Sequence, residues 1–285
     1  MLIQADSLAR LAWLVHGFTT RTGGSSKPYG GRSLNLGFTS RDSPAAVEAN
    51  RRALAAHLAA RWGKTSWPLV TLRQIHSDLI HVIHATPLEA PAGDGLITQT
   101  PQLLVAVQTA DCLPVILVDT RKRALGVFHA GWRGTLKRIV EKGVGEMRRL
   151  FDTRPRDLEA AIGPGIRACC YRVGAELREA FESRFSYAAS LFRSEEAADE
   201  VREKYPLLFL NSRAPGRGEV GKMIFLDLAE ANRRQLLAAG VPGSRISDLG
   251  LCTCCRQDLF FSHRGAGGNA GRMMAVAGMR AEGKQ

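Results

Sequence analysis

The chain has 285 residues, 45% hydrophobic and 23% charged, which is typical of a soluble globular protein that can bury a sizeable core. Its formal net charge of +12 is dispersed, so it suits an anionic small substrate as well as a polynucleotide, and we do not expect nucleic-acid binding as the main role. Neither a signal-peptide pattern nor a run of roughly 20 apolar residues is present, so we expect a cytoplasmic protein without a membrane association.

The first half of the chain alternates a helix with short strands. A glycine-rich segment, residues 21–37, precedes a helix predicted over 43–62, where Ser43 is the N-cap before Pro44. Apolar and β-branched runs then predict strands over 67–76, 79–85, 103–108, 114–120 and 124–130. The last two strands are separated by a short basic turn, which predicts a hairpin.

The second half predicts further helices and strands. An apolar stripe at helical spacing predicts a helix over 135–151, capped by Thr135. The later expectations are a strand over 158–166, a helix over 174–185, a polar surface excursion over 192–220, a helix over 226–240 and strands over 246–253, 259–264 and 271–279. Interspersed strands and helices, with hairpins, favour an α/β fold, a mixed-sheet α/β sandwich. Since no linker divides the chain, we expect a single domain over 1–285.

Three short segments place chemically capable residues at the ends of predicted strands. His76 closes the first strand, Cys112 follows the strand 103–108, and His129 joins a strand to the helix 135–151. Two imidazoles and one thiolate form a ligand set that suits zinc, with copper as the main competitor. Three protein ligands leave one coordination position open, as a catalytic metal requires.

The same residues allow two other interpretations. His76 and His129 could be hydrogen-bonded core residues, with Cys112 a small buried apolar side chain. Alternatively, Cys112 beside either histidine could be an activated nucleophile for acyl transfer without a metal. Sequence spacing alone leaves all three open, although the metal site explains why two histidines accompany one cysteine.

Other residues are weaker candidates. The segment 21–37 matches neither the P-loop nor the dinucleotide-binding fingerprint, so flexibility is its favoured role. Arginine and amide side chains could bind an anion or a sugar: Arg21, Asn35, Arg133, Arg264 and Arg272. The remaining cysteines are irregularly spaced, which favours reduced thiols over a second metal site: Cys169, Cys170, Cys252, Cys254 and Cys255.

Taken together, the motifs resemble one known family. HGFTTRTGG (16–24), SLNLG (33–37), QIHS (74–77), TADCLPV (109–115), HAGWRGT (129–135), AAIGPGI (160–166) and FFSHR (260–264) occur in that order. This pattern, from about residue 14 to about 279, is similar to the YfiH-type family, also called laccase-domain or polyphenol oxidase-like proteins and described as purine nucleoside phosphorylases. Departures are small: Ile75 stands where valine is commoner, and Gly265 where a second arginine usually follows.

The resemblance implies a YfiH-like α/β sandwich with zinc, or copper as the competing metal, held by His76, Cys112 and His129. It also implies phosphorolysis of adenosine, inosine and methylthioadenosine, together with deamination of adenosine. The partners would then be a small-molecule nucleoside and phosphate, without nucleic acid or membrane, and we expect a monomer or weak homodimer.

For the chemistry we assign further residues by type. In deamination a carboxylate near the metal would move protons, and Asp94 and Asp111 are the candidates. In phosphorolysis arginines would bind the anion and stabilise developing charge, and we assign Arg133 and Arg264 to that role, with Asn35 and Arg21 as further substrate-binding candidates. The alternatives are a Cys–His hydrolase that edits a peptidoglycan precursor and a copper polyphenol oxidase. Seven histidines without a His-x-His pair argue against the several clustered coppers of the latter.

Overall fold

The computed structural model describes residues 2–62, 67–196 and 222–281. The chain forms two compact units, one of residues 1–166 with 228–285 and a smaller one of residues 167–227. This division is finer than the single domain predicted over 1–285, which stays a prediction. No helix in the described ranges is both long enough and apolar enough to span a bilayer.

The elements follow in chain order. The strands are β1 (Leu2–Ile3), β2 (Leu14–Thr19), β3 (Thr22–Ser26), β4 (Leu69–Val70), β5 (Ile80–Val82), β6 (Gly95–Thr98), β7 (Leu104–Thr109), β8 (Leu113–Asp119), β9 (Ala124–Ala130), β10 (Leu158–Ile162), β11 (Arg172–Val173), β12 (Phe192–Glu196), β13 (Lys222–Leu226), β14 (Ile246–Asp248) and β15 (Met273–Met279). The helices are α1 (Asp6–Ala9), α2 (Pro44–Trp62), α3 (Trp132–Leu136), α4 (Ile139–Phe151), α5 (Ala175–Glu182) and α6 (Leu228–Ala238).

The larger unit contains two mixed sheets. One has the strand order β1-β2-β15-β7-β4 and the other β14-β10-β8-β9-β6-β5. Both combine antiparallel neighbours with parallel pairs, β4 with β7 in the first sheet and β5 with β6 in the second. The predicted hairpin is confirmed, because β8 and β9 pair antiparallel from Leu113 opposite Ala130 to Asp119 opposite Ala124.

Apolar side chains from both sheets share one core. Val105 and Val107 of β7 cluster with Val118 of β8 and Val127 of β9, all of them fully buried. Alternate residues of a strand face opposite sides of its sheet. The side chains in this cluster therefore identify the face of each sheet that packs against the other sheet. The two sheets therefore pack face to face, and removal of this apolar surface from water stabilises the arrangement.

A helix covers the outer face of each sheet. Leu54 and Leu58 of α2 pack with Leu104 of β7 and Val276 of β15 in a second apolar cluster. On the other side, α4 contacts β9, and a Cβ placed on Gly143 would lie 2.5 Å from the ring of Phe128. The mixed-sheet α/β sandwich predicted from the sequence is confirmed.

The smaller unit has its own sheet. β13 lies between β11 and β12, and both pairings are antiparallel. Phe181 of α5 packs edge-on against Phe192 of β12, with ring centroids 5.9 Å apart. The polar excursion predicted over 192–220 is wrong in its first residues, which form β12, and its remainder lies outside the described residues.

The helix predicted over 135–151 is two helices. Arg138 adopts a left-handed backbone with φ 63° and separates α3 from α4. Thr135 is not a cap but is buried within α3. Its hydroxyl oxygen accepts a hydrogen bond from the Asn232 amide at 3.0 Å, and its carbonyl accepts one from Gln235 at 2.7 Å. Contacts with α6, which sequence periodicity does not encode, therefore fix α3.

Several predicted strands shorten or disappear. Only β4 forms within 67–76, and only β14 within 246–253, where Gly250 has a φ of 67°. The strand predicted over 259–264 is wrong, because this segment consists of loops and turns. Within it, the Ser262 hydroxyl and the backbone N–H of Arg264 donate to the buried carboxylate of Asp111.

Candidate metal centre

His76 lies on the connection after β4, in a loop organised by the buried carboxylate of Asp94. The backbone N–H groups of Ile75, His76 and Ser77 donate to it at 3.3, 3.1 and 2.6 Å, and the Ser77 hydroxyl donates at 2.7 Å. His76 has a φ of 57°, a left-handed conformation that is unfavourable for a residue with a side chain. The four hydrogen bonds to Asp94 offset that cost and fix the loop.

His129, near the end of β9, is buried and contacts the same carboxylate. Its Nδ1 lies 2.8 Å from Oδ1 of Asp94, and its backbone N–H donates to the Asp94 carbonyl at 2.8 Å. We assign the ring proton to Nδ1, because an ionised carboxylate can only accept. Nε2 is then the nitrogen that would bind a metal ion once its own proton is lost, the usual arrangement of a metal-binding histidine.

Cys112 lies in the turn between β7 and β8, which Asp111 holds in place. Asp111 has a φ of 89° and is buried. Its carboxylate accepts hydrogen bonds from the hydroxyls of Thr253 and Ser262, at 2.6 and 2.7 Å, and from the backbone N–H of Arg264 at 2.6 Å. The turn that carries the thiol is thereby tied to the C-terminal part of the chain.

The structure brings together the three predicted metal ligands. The Cys112 sulfur and the ring nitrogens of His76 and His129 lie within 4.8 Å of one another, and the two imidazole centroids are 5.0 Å apart. A Cβ placed on Gly131 would lie 2.9 Å from the Cys112 sulfur, so only glycine fits beside the cluster. Two nitrogen donors and one thiolate, with His76 exposed to solvent, fit a metal ion that takes mixed nitrogen and sulfur ligands.

The electrostatics of the cluster favour charged ligands. Burial raises the pKa of Cys112, but the charges and hydrogen bonds of His129 and His76 outweigh it and lower that pKa to about 6. Burial lowers the pKa of His129, yet the Cys112 thiolate and Asp94 raise it to about 9. For Asp94, hydrogen bonds from His129 and Ser77 overcome burial and lower the pKa to about 2. At neutral pH the thiolate and the carboxylate are therefore both ionised.

The two predicted phosphate-binding arginines are at the surface near this cluster. Arg133 is exposed on α3, with its guanidinium carbon 4.1 Å from the centre of the Trp132 ring. Arg264 is also exposed, and its backbone N–H donates to Asp111, the residue next to Cys112. Substrate contact by either arginine stays a prediction.

The side chain of Asn35 is buried and bonded within the protein, although the sequence predicted that it binds substrate. It is fully buried, and its amide nitrogen donates to the Gly37 carbonyl at 3.0 Å and to the Asp42 carboxylate at 2.8 Å. Its amide oxygen accepts from the backbone N–H groups of Gly37 and Arg272, at 3.2 and 2.8 Å. The hydrogen-bonding groups of this side chain are therefore used within the protein, where they fix a loop.

Arg21 also bridges protein segments. Its guanidinium donates to the carbonyls of Tyr29 and Gln257 and lies 4.8 Å from the centre of the Phe261 ring. Partial burial lowers its pKa from the ordinary value. Asn35 and Arg21 were predicted to contact substrate, but the contacts seen are with loops of the protein itself.

Sequence reasoning missed one pair of residues beside the cluster. The Gln74 side chain donates to the Gln108 carbonyl at 2.8 Å and accepts the Gln108 backbone N–H at 2.7 Å. This pair joins the segment that carries His76 to the strand that leads to Cys112. A signal was present, since the half-buried side chain of Gln74, two residues before a candidate ligand, needs hydrogen-bond partners. Its partner, Gln108, is distant in sequence.

The comparisons with known proteins agree with this geometry. Residues 15–280 match the family model described as multi-copper polyphenol oxidoreductase laccase. The chain belongs to this laccase-domain family. Among laccase-domain relatives, the purine nucleoside phosphorylase YlmD of Geobacillus stearothermophilus is 37% identical over 95% of this chain and 92% of its own length. The adenosine deaminase RL5, from an unknown prokaryotic organism, is 35% identical over 75% of this chain and 76% of its own.

The fold is shared with solved laccase-domain structures. The crystal structure of the hypothetical protein YfiH from Bacillus licheniformis superposes with a TM-score of 0.81 at 31% identity, and the match covers 98% of this chain and 96% of that one. YlmD and YfiH are thus similar to this chain along nearly its whole length.

Proposed function

We propose that this laccase-domain protein is a metal-dependent enzyme that cleaves purine nucleosides by phosphorolysis and deaminates adenosine. Its substrates would be adenosine, inosine and methylthioadenosine, together with phosphate. The enzyme would act in the cytoplasm. Two observations support the proposal: the names of its relatives and the convergence of His76, Cys112 and His129. The convergence carries the argument, because an open three-ligand site is what this chemistry needs.

In this proposal His76, Cys112 and His129 hold zinc, with copper as the competing metal. A bound ion would supply Lewis acidity toward the substrate. The chain itself supplies an ionised thiolate and a histidine ring that Asp94 orients, and a bound ion would replace the proton on Nε2 of that ring. These features prepare the site for a cation before any substrate arrives.

We assign Asp94 and Asp111 to positioning rather than to the proton transfer predicted from the sequence. Both carboxylates are buried and each receives several hydrogen bonds from the protein. The pKa of Asp94, about 2, is also far below neutral, where a carboxylate is a poor proton carrier. Arg133 and Arg264 remain our candidates for substrate binding, because both are exposed beside ligand-bearing segments.

The test is chromatography of adenosine incubated with the purified full chain, with and without phosphate. We expect adenine only when phosphate is present, and inosine from deamination in either case. Cys112→Ala should abolish both products, whereas Cys254→Ala, which changes another half-buried free thiol, should not. Equal product from wild type and Cys112→Ala would exclude Cys112 from the chemistry.

The Cys–His hydrolase alternative shares part of the geometry, since Cys112, His129 and Asp94 are in contact. The relatives do not favour it, and it gives His76 no role. Metal removal separates the two: a hydrolase would keep its activity after chelation, whereas the proposed enzyme should lose activity and regain it on addition of zinc.

A further inference from the structure

A cavity of about 310 Å³ lies beside β7, on the part of the larger unit that contains the SLNLG motif. Its wall includes Phe38, Ser40, Arg41, Gln108 and Arg272. This volume suits a small ligand or one part of a larger one. Two of its lining residues are arginines, and among the described residues that line it none is acidic, so the cavity favours an anion.

The guanidinium groups of Arg41 and Arg272 differ in how they are held by the rest of the protein. Arg41 is exposed and forms no hydrogen bond or ion pair with the residues that the structure describes. Arg272 is half-buried, and its Nη1 donates to the carbonyls of Ala270 and Gly271 at 2.7 and 3.1 Å. Those two bonds hold the Arg272 side chain in place at the cavity wall. Guanidinium groups match the oxygen geometry of phosphate, and a fixed one loses less entropy on binding.

The buried side chain of Asn35 explains why Arg41 and Arg272 line the same cavity. It accepts the backbone N–H of Arg272 at 2.8 Å and donates to Asp42, the residue after Arg41, at 2.8 Å. A Cβ placed on Gly37 would lie 2.5 Å from Oε1 of Gln108 and 2.6 Å from Cγ of Arg272. The loop is thus pressed against the cavity wall, and Asn35 fixes both arginine-bearing segments.

The cavity is connected to the metal centre by a short path. Gln108 lines the cavity, is hydrogen-bonded to Gln74 two residues before His76, and precedes Cys112 by four residues. Four residues of extended chain span at most about 14 Å. In a purine nucleoside, C6 and the N9 atom that carries C1′ lie on opposite sides of the purine base. One bound nucleoside could therefore present C6 to the ligand cluster and C1′ toward the cavity.

We infer that this cavity binds the inorganic phosphate used in phosphorolysis, with Arg41 and Arg272 as its ligands; this inference rests on the proposed function. A phosphate oxygen then forms a bond to C1′ while the bond from C1′ to N9 breaks. The electron pair of the broken bond goes to N9, which takes up the proton that hydrogen phosphate gives up. The products are the free base and ribose 1-phosphate. Deamination at the other end of the base does not use the cavity.

Calorimetric titration of inorganic phosphate into the purified full chain tests the site without turnover. We expect saturable binding, weakened about tenfold or more by Arg41→Gln and by Arg272→Gln, because each loses charge-assisted hydrogen bonds. Arg52→Gln is the matched control, since Arg52 is exposed on α2 and is paired only with Glu48 at 3.9 Å. Absence of binding to wild type, or equal binding by all variants, would overturn the inference.

Kinetics separates this inference from the proposed function. Arg41→Gln should raise the KM for phosphate about tenfold while changing the KM for adenosine in deamination much less. If Arg133→Gln or Arg264→Gln has that effect and Arg41→Gln does not, adenosine phosphorolysis stands but the phosphate lies elsewhere. If phosphate binds through Arg41 and Arg272 and no nucleoside is cleaved, the site stands and the proposed reaction is wrong.

Discussion

The Oδ1 atom of Asp94 lies 2.8 Å from Nδ1 of His129, and the same carboxylate caps the loop that carries His76. One buried side chain therefore controls two of the three candidate metal ligands. Metal affinity in such sites depends on groups that never touch the ion, because they set the tautomer and orientation of those that do.

We predict that Asp94→Asn lowers zinc affinity by about 10- to 100-fold. The amide cannot accept from His129 and from the loop N–H groups as the carboxylate does, so both imidazoles lose their orientation. Competition with a chromophoric chelator measures the change. Asp119→Asn is the control, because Asp119 is equally buried but accepts the backbone N–H groups of Arg121 and Lys122 in the β8–β9 turn. An unchanged zinc affinity in Asp94→Asn would contradict the assignment.

Gly131→Ala and Gly145→Ala should have opposite effects on stability. The new methyl group at Gly131 would lie 2.9 Å from the Cys112 sulfur, so we expect a loss of about 1–3 kcal/mol in the free energy of unfolding and weaker zinc binding. At Gly145, an exposed position in α4, no atom lies within 4 Å of the added Cβ, and the change should stabilise the helix by about 0.5–1 kcal/mol. Urea unfolding of both variants measures these changes. An unchanged free energy of unfolding in Gly131→Ala would show that the cluster has room for the methyl group.

The Asp111 contacts should hold the Cys112 turn in place. Ser262→Ala removes one of its three donors, so we expect unfolding free energy to fall by about 1–3 kcal/mol and Cys112 to react faster with a thiol reagent. Ser183→Ala removes an exposed hydroxyl bonded only to the nearby Ala180 carbonyl, and should change stability by less than about 0.5 kcal/mol. If thiol reactivity in Ser262→Ala equals that of wild type, Asp111 does not position Cys112.

His16 should make the fold sensitive to acid. Burial lowers its pKa from 6.5 to about 4, and its Nε2 accepts the backbone N–H of Ala5 at 3.2 Å. Below pH 6.5 the unfolded chain takes up a proton that the folded chain does not, so stability falls until about pH 4 and then levels. The loss is about 3 kcal/mol from this residue.

Urea unfolding from pH 7 to pH 4 tests this expectation. The difference between wild type and His16→Gln isolates His16, because glutamine can still accept from Ala5 but does not titrate. The two proteins should converge in stability as the pH falls. Parallel pH profiles for the two proteins would show that His16 does not cause the acid sensitivity.

Much of the architecture could be predicted, because it depends on local periodicity. The β9 bounds, 124–130, and the start of α2 after Ser43 agree with the sequence prediction, and the Ser43 hydroxyl accepts the Ala46 N–H at 3.2 Å as an N-cap should. His76, Cys112 and His129 also lie close together as expected from their places at or after predicted strands, whereas their role as metal ligands stays a prediction.

What the sequence did not reveal depends on partners far away in the chain. The break at Arg138 accompanies contacts between α3 and α6, and the loss of the strand over 259–264 accompanies hydrogen bonds to Asp111. Asn35 looked like a substrate ligand because its motif is polar and glycine-rich, whereas its buried amide binds neighbouring backbone. A local pattern cannot show which side of a loop will face the interior.

Two of the candidate ligands come from chain segments that pass from one sheet to the other, and the third lies in a strand of the second sheet. His76 lies on the path from β4 to β5, Cys112 on the turn from β7 to β8, and His129 in β9. An ion held there would cross-link the halves of the sandwich, so loading it should raise the melting temperature of the whole larger unit. Conversely, a cavity created between the sheets, as by Val107→Ala, would weaken the packing that holds the donor atoms together without altering any of them.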